Sequence, residues 1–182
     1  IKAEMDKGLG LDALEGREFF GEFLAKTDPM GSDKEFPVSH VAYGYAAQVL
    51  RLDETGRVVD VTAAYDVGRV VNPLAAEGQI EGGVAMGLGY AFTEDFPMDQ
   101  GYVKARYGTL GIFRATETPP IHVHIVKKDW YGPHAYGAKG VGELATIPTA
   151  PAAQAAYYRL DGVFRTKLPL EGTAYKKDKQ KV

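Results

Sequence analysis

The segment from Pro73 to about Glu94 is the part of the sequence that most constrains the fold. Asn72 followed by Pro73 is typical of a helix start, because asparagine caps free backbone amides and proline suits the first helical position. Apolar residues then recur at a spacing close to that of a helical turn, at Ile80, Val84, Leu88 and Ala91. The pattern predicts one long helix with an apolar face.

Glycines make this predicted helix weak on its own. It contains Gly78, Gly82, Gly83, Gly87 and Gly89, and each glycine costs up to ~1 kcal/mol relative to alanine in a helix interior. The sum, about 5 kcal/mol, is comparable with the net stability of a small domain. Contacts from outside must therefore stabilise the helix. Either another helix packs closely against the small residues, or a cofactor lies against the glycine face beside the Gln79 amide.

Strand patterns predict a small sheet beside this helix. Two runs, 41–53 and 58–65, are joined by the turn Asp53-Glu-Thr-Gly-Arg57, which is typical of a β-hairpin. Residues 121–128 alternate between apolar and polar, as expected for another strand. We expect a short last strand at Val163–Leu168.

A second main helix is predicted before that last strand. Thr146 or Thr149 can cap its start, Pro151 suits its first turn, and it should end at Asp161-Gly162. With a hairpin, short strands and two main helices, the chain is predicted to adopt an α+β fold.

A loop with bare backbone precedes the second helix. The stretch Tyr136-Gly-Ala-Lys-Gly-Val-Gly-Glu143 contains three glycines, which expose the backbone so that a large group can lie against it. Glu143 closes the loop, and a glutamate carboxylate is ionised at neutral pH and can therefore act as a base. A charge at a helix N-terminus would occupy the same sequence position. Both interpretations are open on this pattern alone.

Two histidines are weaker candidates for chemistry. His122 and His124 lie two residues apart on a predicted strand, so they should project from one face, which is one way to build half of a metal site. The third and fourth ligands are not evident, and surface histidines are the preferred interpretation. We therefore predict no metal ligand in this chain.

The composition excludes several classes of protein. The chain has no cysteine, so it forms no disulfide and cannot by itself hold an iron–sulfur cluster. A net charge of -3 without a basic stripe argues against nucleic acid as a partner. No apolar run approaches the roughly 18 residues of a membrane span, and no signal-peptide pattern opens the sequence. We expect a cytoplasmic protein that binds no membrane.

Three segments are expected along the chain. Residues 1–37 have the composition of an upstream extended or loop segment, residues 38–175 carry the motifs, and residues 176–182 form a solvated basic tail. Because the first residue is Ile1 rather than methionine, we expect a piece of a larger polypeptide.

Four motifs in order resemble the C-terminal part of the molybdenum-binding subunit of the xanthine dehydrogenase and aldehyde oxidase family. They are Tyr43-Gly-Tyr-Ala-Ala-Gln48, Asp66-Val-Gly-Arg-Val-Val-Asn-Pro73, Glu77-Gly-Gln-Ile-Glu-Gly-Gly83 with Gly87-Leu-Gly89, and Gly137-Ala-Lys-Gly-Val-Gly-Glu143 with Pro148-Thr-Ala-Pro151. Their order makes the resemblance stronger than any single motif. Two further stretches, Arg106-Tyr-Gly-Thr109 and Phe113-Arg-Ala-Thr116, are most similar to the selenium-dependent xanthine dehydrogenase-like subgroup.

The resemblance implies roles for residues of the last two motifs. Glu143 matches the family's general base, which takes a proton from a molybdenum-bound hydroxyl while a purine-like heterocycle or an aldehyde is hydroxylated with oxygen from water. Gln79 matches the glutamine that contacts the pterin. The backbone of Gly140, Val141 and Gly142 would approach the cofactor.

The resemblance also implies what must come from elsewhere. The cofactor would be molybdenum-molybdopterin, with a cytosine dinucleotide form left open, and iron–sulfur and flavin groups would lie only on other domains or subunits. The expected partners are the remainder of the molybdenum-binding subunit and the iron–sulfur and flavin subunits, in an oligomer; the isolated chain should be inactive. Two alternatives are a truncated, non-catalytic assembly or binding module of this family and an unrelated α+β ligand-binding domain.

Overall fold

The computed structural model describes residues 1–106, 108–128, 132 and 134–175 of the 182-residue chain. The predicted basic tail at 176–182 and Tyr107 of the Arg106–Thr109 stretch lie outside these residues. The chain divides into two units, residues 1–41 and residues 42–182.

The first unit contains little regular structure. Helix α1 spans Lys2–Met5, and a 3-10 turn spans Leu11–Leu14. Glu4 accepts hydrogen bonds from Lys7 at 2.7 Å and from Arg17 at 3.3 Å. These ion pairs link α1 to the residues that follow it. Leu14 is the one buried apolar residue of this unit, which therefore has almost no core of its own.

The second unit is built on a three-stranded sheet. The strands of the whole unit are β1 Tyr45–Leu52, β2 Val58–Asp66, β3 Met98–Asp99, β4 Tyr102–Val103 and β5 Ile121–Ile125. The sheet order is β1-β2-β5, with β1 antiparallel and β5 parallel to the central β2. Strands β3 and β4 form a separate two-stranded ribbon. The predicted hairpin and the predicted strand after residue 120 are therefore confirmed.

The core lies against the central strand β2. Val61, Ala63 and Tyr65 alternate along it and are fully buried, as expected when one face of a strand packs against helices. They share one cluster with Ile80 and Val84 of the long helix.

Helix α2 spans Pro73–Phe92, and its start was predicted from the sequence. The Asn72 side-chain oxygen accepts a hydrogen bond from the Ala75 amide at 3.1 Å, and Pro73 occupies the first helical position. The predicted apolar positions are all buried. Neither α2 nor any other helix of the described residues is both long and apolar enough to cross a lipid bilayer.

Four of the five glycines of α2 fall into two groups, and the fifth, Gly89, lies against the Glu94 side chain. A Cβ on Gly83 would lie 2.4 Å from the Ala145 Cβ, and a Cβ on Gly87 would lie 2.6 Å from Thr149, so these two glycines permit close packing. Gly78 and Gly82 have no neighbouring atom within 4 Å of a Cβ position and are exposed. Close packing is therefore confirmed for Gly83 and Gly87, and bare backbone remains exposed at the other two.

Helix α3 spans Thr149–Asp161 and ends, as predicted, at Gly162, which adopts a left-handed conformation with φ 73°. The predicted threonine cap is wrong, because Pro148 occupies the cap position and no side chain caps the helix. Thr146 instead donates its hydroxyl to the Gly83 carbonyl at 3.2 Å, and Thr149 is buried against Gly87. Both threonines therefore pack against α2, Thr149 from the start of α3 and Thr146 from the turn before it.

The predicted last strand at Val163–Leu168 is also wrong, since this segment has no regular secondary structure. Side chains satisfy the amides that a strand would pair: Asp161 accepts from the Val163 amide at 2.9 Å, and Gln154 accepts from the Arg165 amide at 3.2 Å. The Arg165 guanidinium also donates to the Glu171 carbonyl at 2.6 Å. The rest of the architecture confirms the predicted α+β fold with two main helices and a hairpin.

The two groups of α2 glycines should respond oppositely to alanine. We expect Gly83→Ala to lower the free energy of unfolding by about 1–3 kcal/mol, because its Cβ would overlap Ala145. Gly78→Ala should raise it by up to ~1 kcal/mol, because its Cβ enters open space and alanine favours the helix. Urea unfolding of the two variants measures both effects, and equal responses would contradict this packing.

Candidate active site

A cleft of about 690 Å³ lies between α2 and the loop that precedes α3. Its lining residues come from these two segments and are Gln79, Gly82, Gly83, Met86, Gly142, Glu143, Thr146 and Ile147. The long helix and the glycine loop, which are far apart in the sequence, therefore form opposite walls of one space.

Three of the residues predicted to form a site meet in this cleft. Gln79 and Glu143 both line it, and the Gln79 side-chain amide donates a hydrogen bond to the Gly142 carbonyl at 3.2 Å. Gly140 and Val141 belong to the same loop but do not line the cleft. Val141 packs against the core, and Gly140 is exposed. The catalytic and cofactor-binding roles of these residues stay predictions.

Glu143 is not the N-terminal charge of a helix. Its side chain is exposed, and α3 begins only at Thr149, after a run of turns in which the Thr146 amide donates to the Glu143 carbonyl at 3.2 Å. The effect of a helix dipole falls off within the first turn. The interpretation of Glu143 as a dipole-stabilising charge is therefore wrong.

Bare backbone borders the cleft on both sides. Gly82 on α2 and Gly142 on the loop have no atom within 4 Å of a Cβ position, and the same holds for Gly78 and Gly140 nearby in sequence. Side chains at Gly82 and Gly142 would project into space that is otherwise open. A large cofactor can approach such backbone closely, so the walls fit the group implied by the sequence.

The apolar part of the cleft was not predicted. Met86 lies two helical turns beyond Gln79 on the same side of α2, and Ile147 of the loop lines the same cleft; both side chains are more than half exposed. The helical spacing from Gln79 was the available signal for Met86. No pattern in the sequence pointed to Ile147.

An ion pair at the end of β2 was also missed. The buried Asp66 carboxylate accepts hydrogen bonds from Lys139 at 2.8 Å, Lys128 at 2.6 Å and the Gly68 amide at 3.1 Å. Burial alone would raise the pKa of Asp66, but the two lysines outweigh it and lower this pKa from 3.8 to about 2. Lys139 belongs to the glycine loop, so the ion pair ties that loop to the sheet.

The backbone reinforces this tie. The Arg69 amide donates to the Gly137 carbonyl at 2.8 Å, and the Lys139 amide donates to the Val67 carbonyl at 3.2 Å. Gly68 has a left-handed φ of 70°, and a Cβ there would lie 2.1 Å from the Gly137 carbonyl oxygen. Only glycine permits this approach, which explains the Asp66-Val-Gly68 sequence.

A second contact fixes the loop beyond Glu143. The Tyr65 hydroxyl donates to the Ala145 carbonyl at 2.7 Å, and Gln48 donates its amide to the Tyr65 oxygen at 2.5 Å. Burial raises the pKa of Tyr65, which keeps its hydroxyl protonated as a donor.

The two strand histidines do not form a metal site with other side chains of the described residues. His122 and His124 are both exposed on one face of β5, as predicted. No group of three or more histidine, cysteine, aspartate or glutamate side chains in the described ranges could hold a metal ion.

The family model for the molybdopterin cofactor-binding domain matches residues 6–119. The chain therefore belongs to the molybdopterin cofactor-binding domain family, and its relatives are molybdenum oxidoreductases. The match includes Gln79 and ends before Glu143.

Similar proteins agree with this family. A probable xanthine dehydrogenase subunit from Bacillus subtilis is 30% identical over 161 residues, which cover 81% of this chain and 22% of that protein. Aldehyde oxidoreductase from Desulfovibrio gigas superposes with a TM-score of 0.56 at 30% identity, covering 71% of this chain and 15% of that one. CO dehydrogenase from Oligotropha carboxidovorans superposes with a TM-score of 0.58 at 27% identity, covering 69% and 17%. The chain thus spans about a fifth of the length of such relatives.

The Asp66 ion pair predicts a specific acid sensitivity. Because the folded-state pKa of Asp66 lies below 3.8, its stabilisation is present above pH 3.8 and is lost as the pH falls through about 2. The shift corresponds to about 2 kcal/mol. We expect Asp66→Asn to lose at least this much unfolding free energy at neutral pH and to differ less from wild type near pH 2.

Urea unfolding across this pH range measures the difference. Asp60→Asn is the matched control, because Asp60 pairs with the exposed Arg51 and should contribute no more than about 1 kcal/mol. A constant difference between wild type and Asp66→Asn at all pH values would contradict the assignment.

Proposed function

We propose that this chain forms one wall of the active site of a molybdenum hydroxylase of the xanthine dehydrogenase and aldehyde oxidase type. The observation that carries the proposal is the cleft in which Glu143 and Gln79, from segments far apart in the chain, face one space bordered by bare glycine backbone. Each residue belongs to its own glycine-containing sequence motif, so both are site candidates independently of their proximity in the fold.

Glu143 acts as the general base in this proposal. When bound, the molybdenum cofactor supplies Lewis acidity, which makes a water-derived ligand easier to deprotonate, and it accepts the electrons of the oxidation. The Glu143 carboxylate receives that proton. Glu143 is exposed and lines the cleft, so its carboxylate is accessible to a ligand lying there.

Gln79 and the loop backbone hold the cofactor. The Gln79 amide already donates to the Gly142 carbonyl and retains further donor and acceptor capacity for a pterin edge. Gly142 brings bare backbone to the cofactor from within the cleft, and Gly140 and Val141 contribute the loop backbone that precedes it. Met86 and Ile147 provide apolar contact with a flat ring.

In this proposal, other domains or subunits supply the remaining parts of the enzyme. The rest of the molybdenum-binding subunit completes the cofactor site, and iron–sulfur and flavin groups on other domains or subunits remove electrons; the chain itself has no cysteine. The relatives named as subunits support such an assembly. The cofactor is molybdenum-molybdopterin, including its cytosine dinucleotide form, and the substrate is a purine-like heterocycle or an aldehyde, hydroxylated with water in the cytoplasm.

Replacement of Glu143 tests the base. In the complete enzyme, Glu143→Gln should lower kcat/KM by about 10²–10⁴-fold, because the amide cannot accept the proton, while molybdenum content stays unchanged. Glu54→Gln in the exposed hairpin turn is the matched control and should have no effect. Normal turnover of Glu143→Gln would refute the base role and favour a non-catalytic assembly module.

Replacement of Gln79 should have the complementary effect. Gln79→Ala removes the bond to Gly142 and a cofactor contact, so molybdenum per complex should fall by about two- to tenfold. Glu77→Ala, on an exposed part of α2 outside the cleft, is the control. Metal analysis of the purified complexes measures this, and full molybdenum content in Gln79→Ala would contradict the cofactor-binding role.

A further inference from the structure

We propose that Tyr65 and Asp66 are positioning residues for Glu143, because these adjacent residues at the end of β2 fix the two flanks of the loop that carries it. The inference rests on the proposed function of Glu143 and assigns the sheet a role in that reaction. Neither side chain lines the cleft. Both act through residues on either side of Glu143.

Asp66 holds the flank before Glu143. Its carboxylate pairs with the Lys139 ammonium at 2.8 Å, and only 14% of the Lys139 side chain is exposed. The same ammonium donates to the Tyr43 carbonyl at 2.7 Å, so Lys139 bridges the end of β2 and the segment just before β1. A largely buried and multiply bonded ammonium is costly to release, because its charge would lose every partner at once.

Tyr65 holds the flank after Glu143. Its hydroxyl bonds to the Ala145 carbonyl at 2.7 Å, and both residues are fully buried. Ala145 is also pressed against Gly83 of α2, where no side chain intervenes. Ala145 therefore has no room to shift toward the helix, and the tyrosine prevents it from moving along the sheet.

The alternation of the strand explains why two neighbours can do this. Successive residues of a strand point to opposite faces, so Tyr65 faces the core while Asp66 faces the lysines. The loop crosses the end of β2, and its flanks contact opposite faces. Residues 140–144 span the interval between two fixed points, and Glu143 lies within it.

Fixing both flanks matters for a base. A catalytic carboxylate must be held within about 0.5 Å of its productive position, and small displacements lower the rate without weakening substrate binding. Glu143 itself is exposed, so its position depends on the backbone beneath it. The bond from Gln79 to Gly142 and the bond from Thr146 to Gly83 orient the loop further, from the helix side.

Hydrogen exchange and steady-state kinetics on the complete enzyme test the inference together. Tyr65→Phe and Asp66→Asn should each speed backbone amide exchange in residues 138–146 by about tenfold and lower kcat by about tenfold, with KM changed by less than about twofold and molybdenum content unchanged. Asp66→Glu should recover most of the lost protection, because a carboxylate again faces Lys139.

Two control variants remove comparable interactions elsewhere. Tyr157→Phe deletes a buried hydroxyl that bonds to the Gly56 carbonyl, and Asp60→Asn deletes the partner of Arg51. Neither should change exchange in residues 138–146 or kcat. If Asp66→Asn fails to fold, Tyr65→Phe, which deletes one oxygen atom, still decides the question.

The outcomes separate this inference from the proposed function. If backbone amide exchange in residues 138–146 is unchanged in Tyr65→Phe and Asp66→Asn, these contacts do not restrain the loop. Faster exchange with normal kcat would overturn the positioning role. Normal turnover of Glu143→Gln would overturn the proposed function itself, and the exchange measurement would still report whether the loop is held at both flanks.

Discussion

The buried carboxylate of Asp66 is the interaction on which the arrangement of the site depends. This carboxylate, at the end of the central strand β2, accepts hydrogen bonds from two lysine ammonium groups and from a backbone amide. An unpaired Asp66 carboxylate or Lys139 ammonium at this depth would be strongly unfavourable, so these two groups fix each other, and the more exposed Lys128 adds a second partner for the carboxylate. The hairpin, the segment after β5 and the glycine loop therefore meet at one point, and the loop leaves it in a defined direction.

Helix α2 forms the other wall of the cleft, and its glycines leave part of that wall without side chains. Gly83 and Gly87 bring the start of α3 and the turn before it against α2, while Gly82 leaves the helix surface open toward the cleft. One helix thus uses the same residue type for two purposes, close packing on one face and exposed backbone on another. The packing face offsets the low helix propensity of glycine, which the helix could not overcome alone.

Local patterns of the sequence predicted much of the fold. The hairpin, the start of α2 at Asn72-Pro73 and the end of α3 at Gly162 each depend on residues adjacent in the chain, and these predictions are confirmed. The cap of α3 was predicted wrongly because a long-range contact overrides local preference, and the last strand because nearby side chains satisfy its amides. Thr146 bonds to a helix far away in the sequence, and side chains of Asp161 and Gln154 take the amides that a strand would have paired.

The sequence predicted key residues that line the candidate site, but not the residues that hold its loop in place. Gln79 and Glu143 stand out because glycines surround them, whereas Asp66 and Lys139 are ordinary charged residues until the fold joins them across 73 positions. Tyr65 likewise carries no sign in the sequence that its hydroxyl reaches Ala145. Long-range pairing of this kind follows from topology, which short patterns do not encode.

The register of the hairpin has a consequence at the far end of the strand. The pairing register of β1 and β2 shifts between Arg51 and Leu52, next to the turn that sets how the two strands align. A slip of β2 by one residue would exchange the faces of its last two side chains, so that the tyrosine met the lysines and the carboxylate entered the apolar core. The turn at Asp53–Arg57 therefore governs the chemistry of a loop at the opposite end of the strand. Insertions or deletions in that turn, although far from the cleft, would change which functional group faces the Glu143 loop.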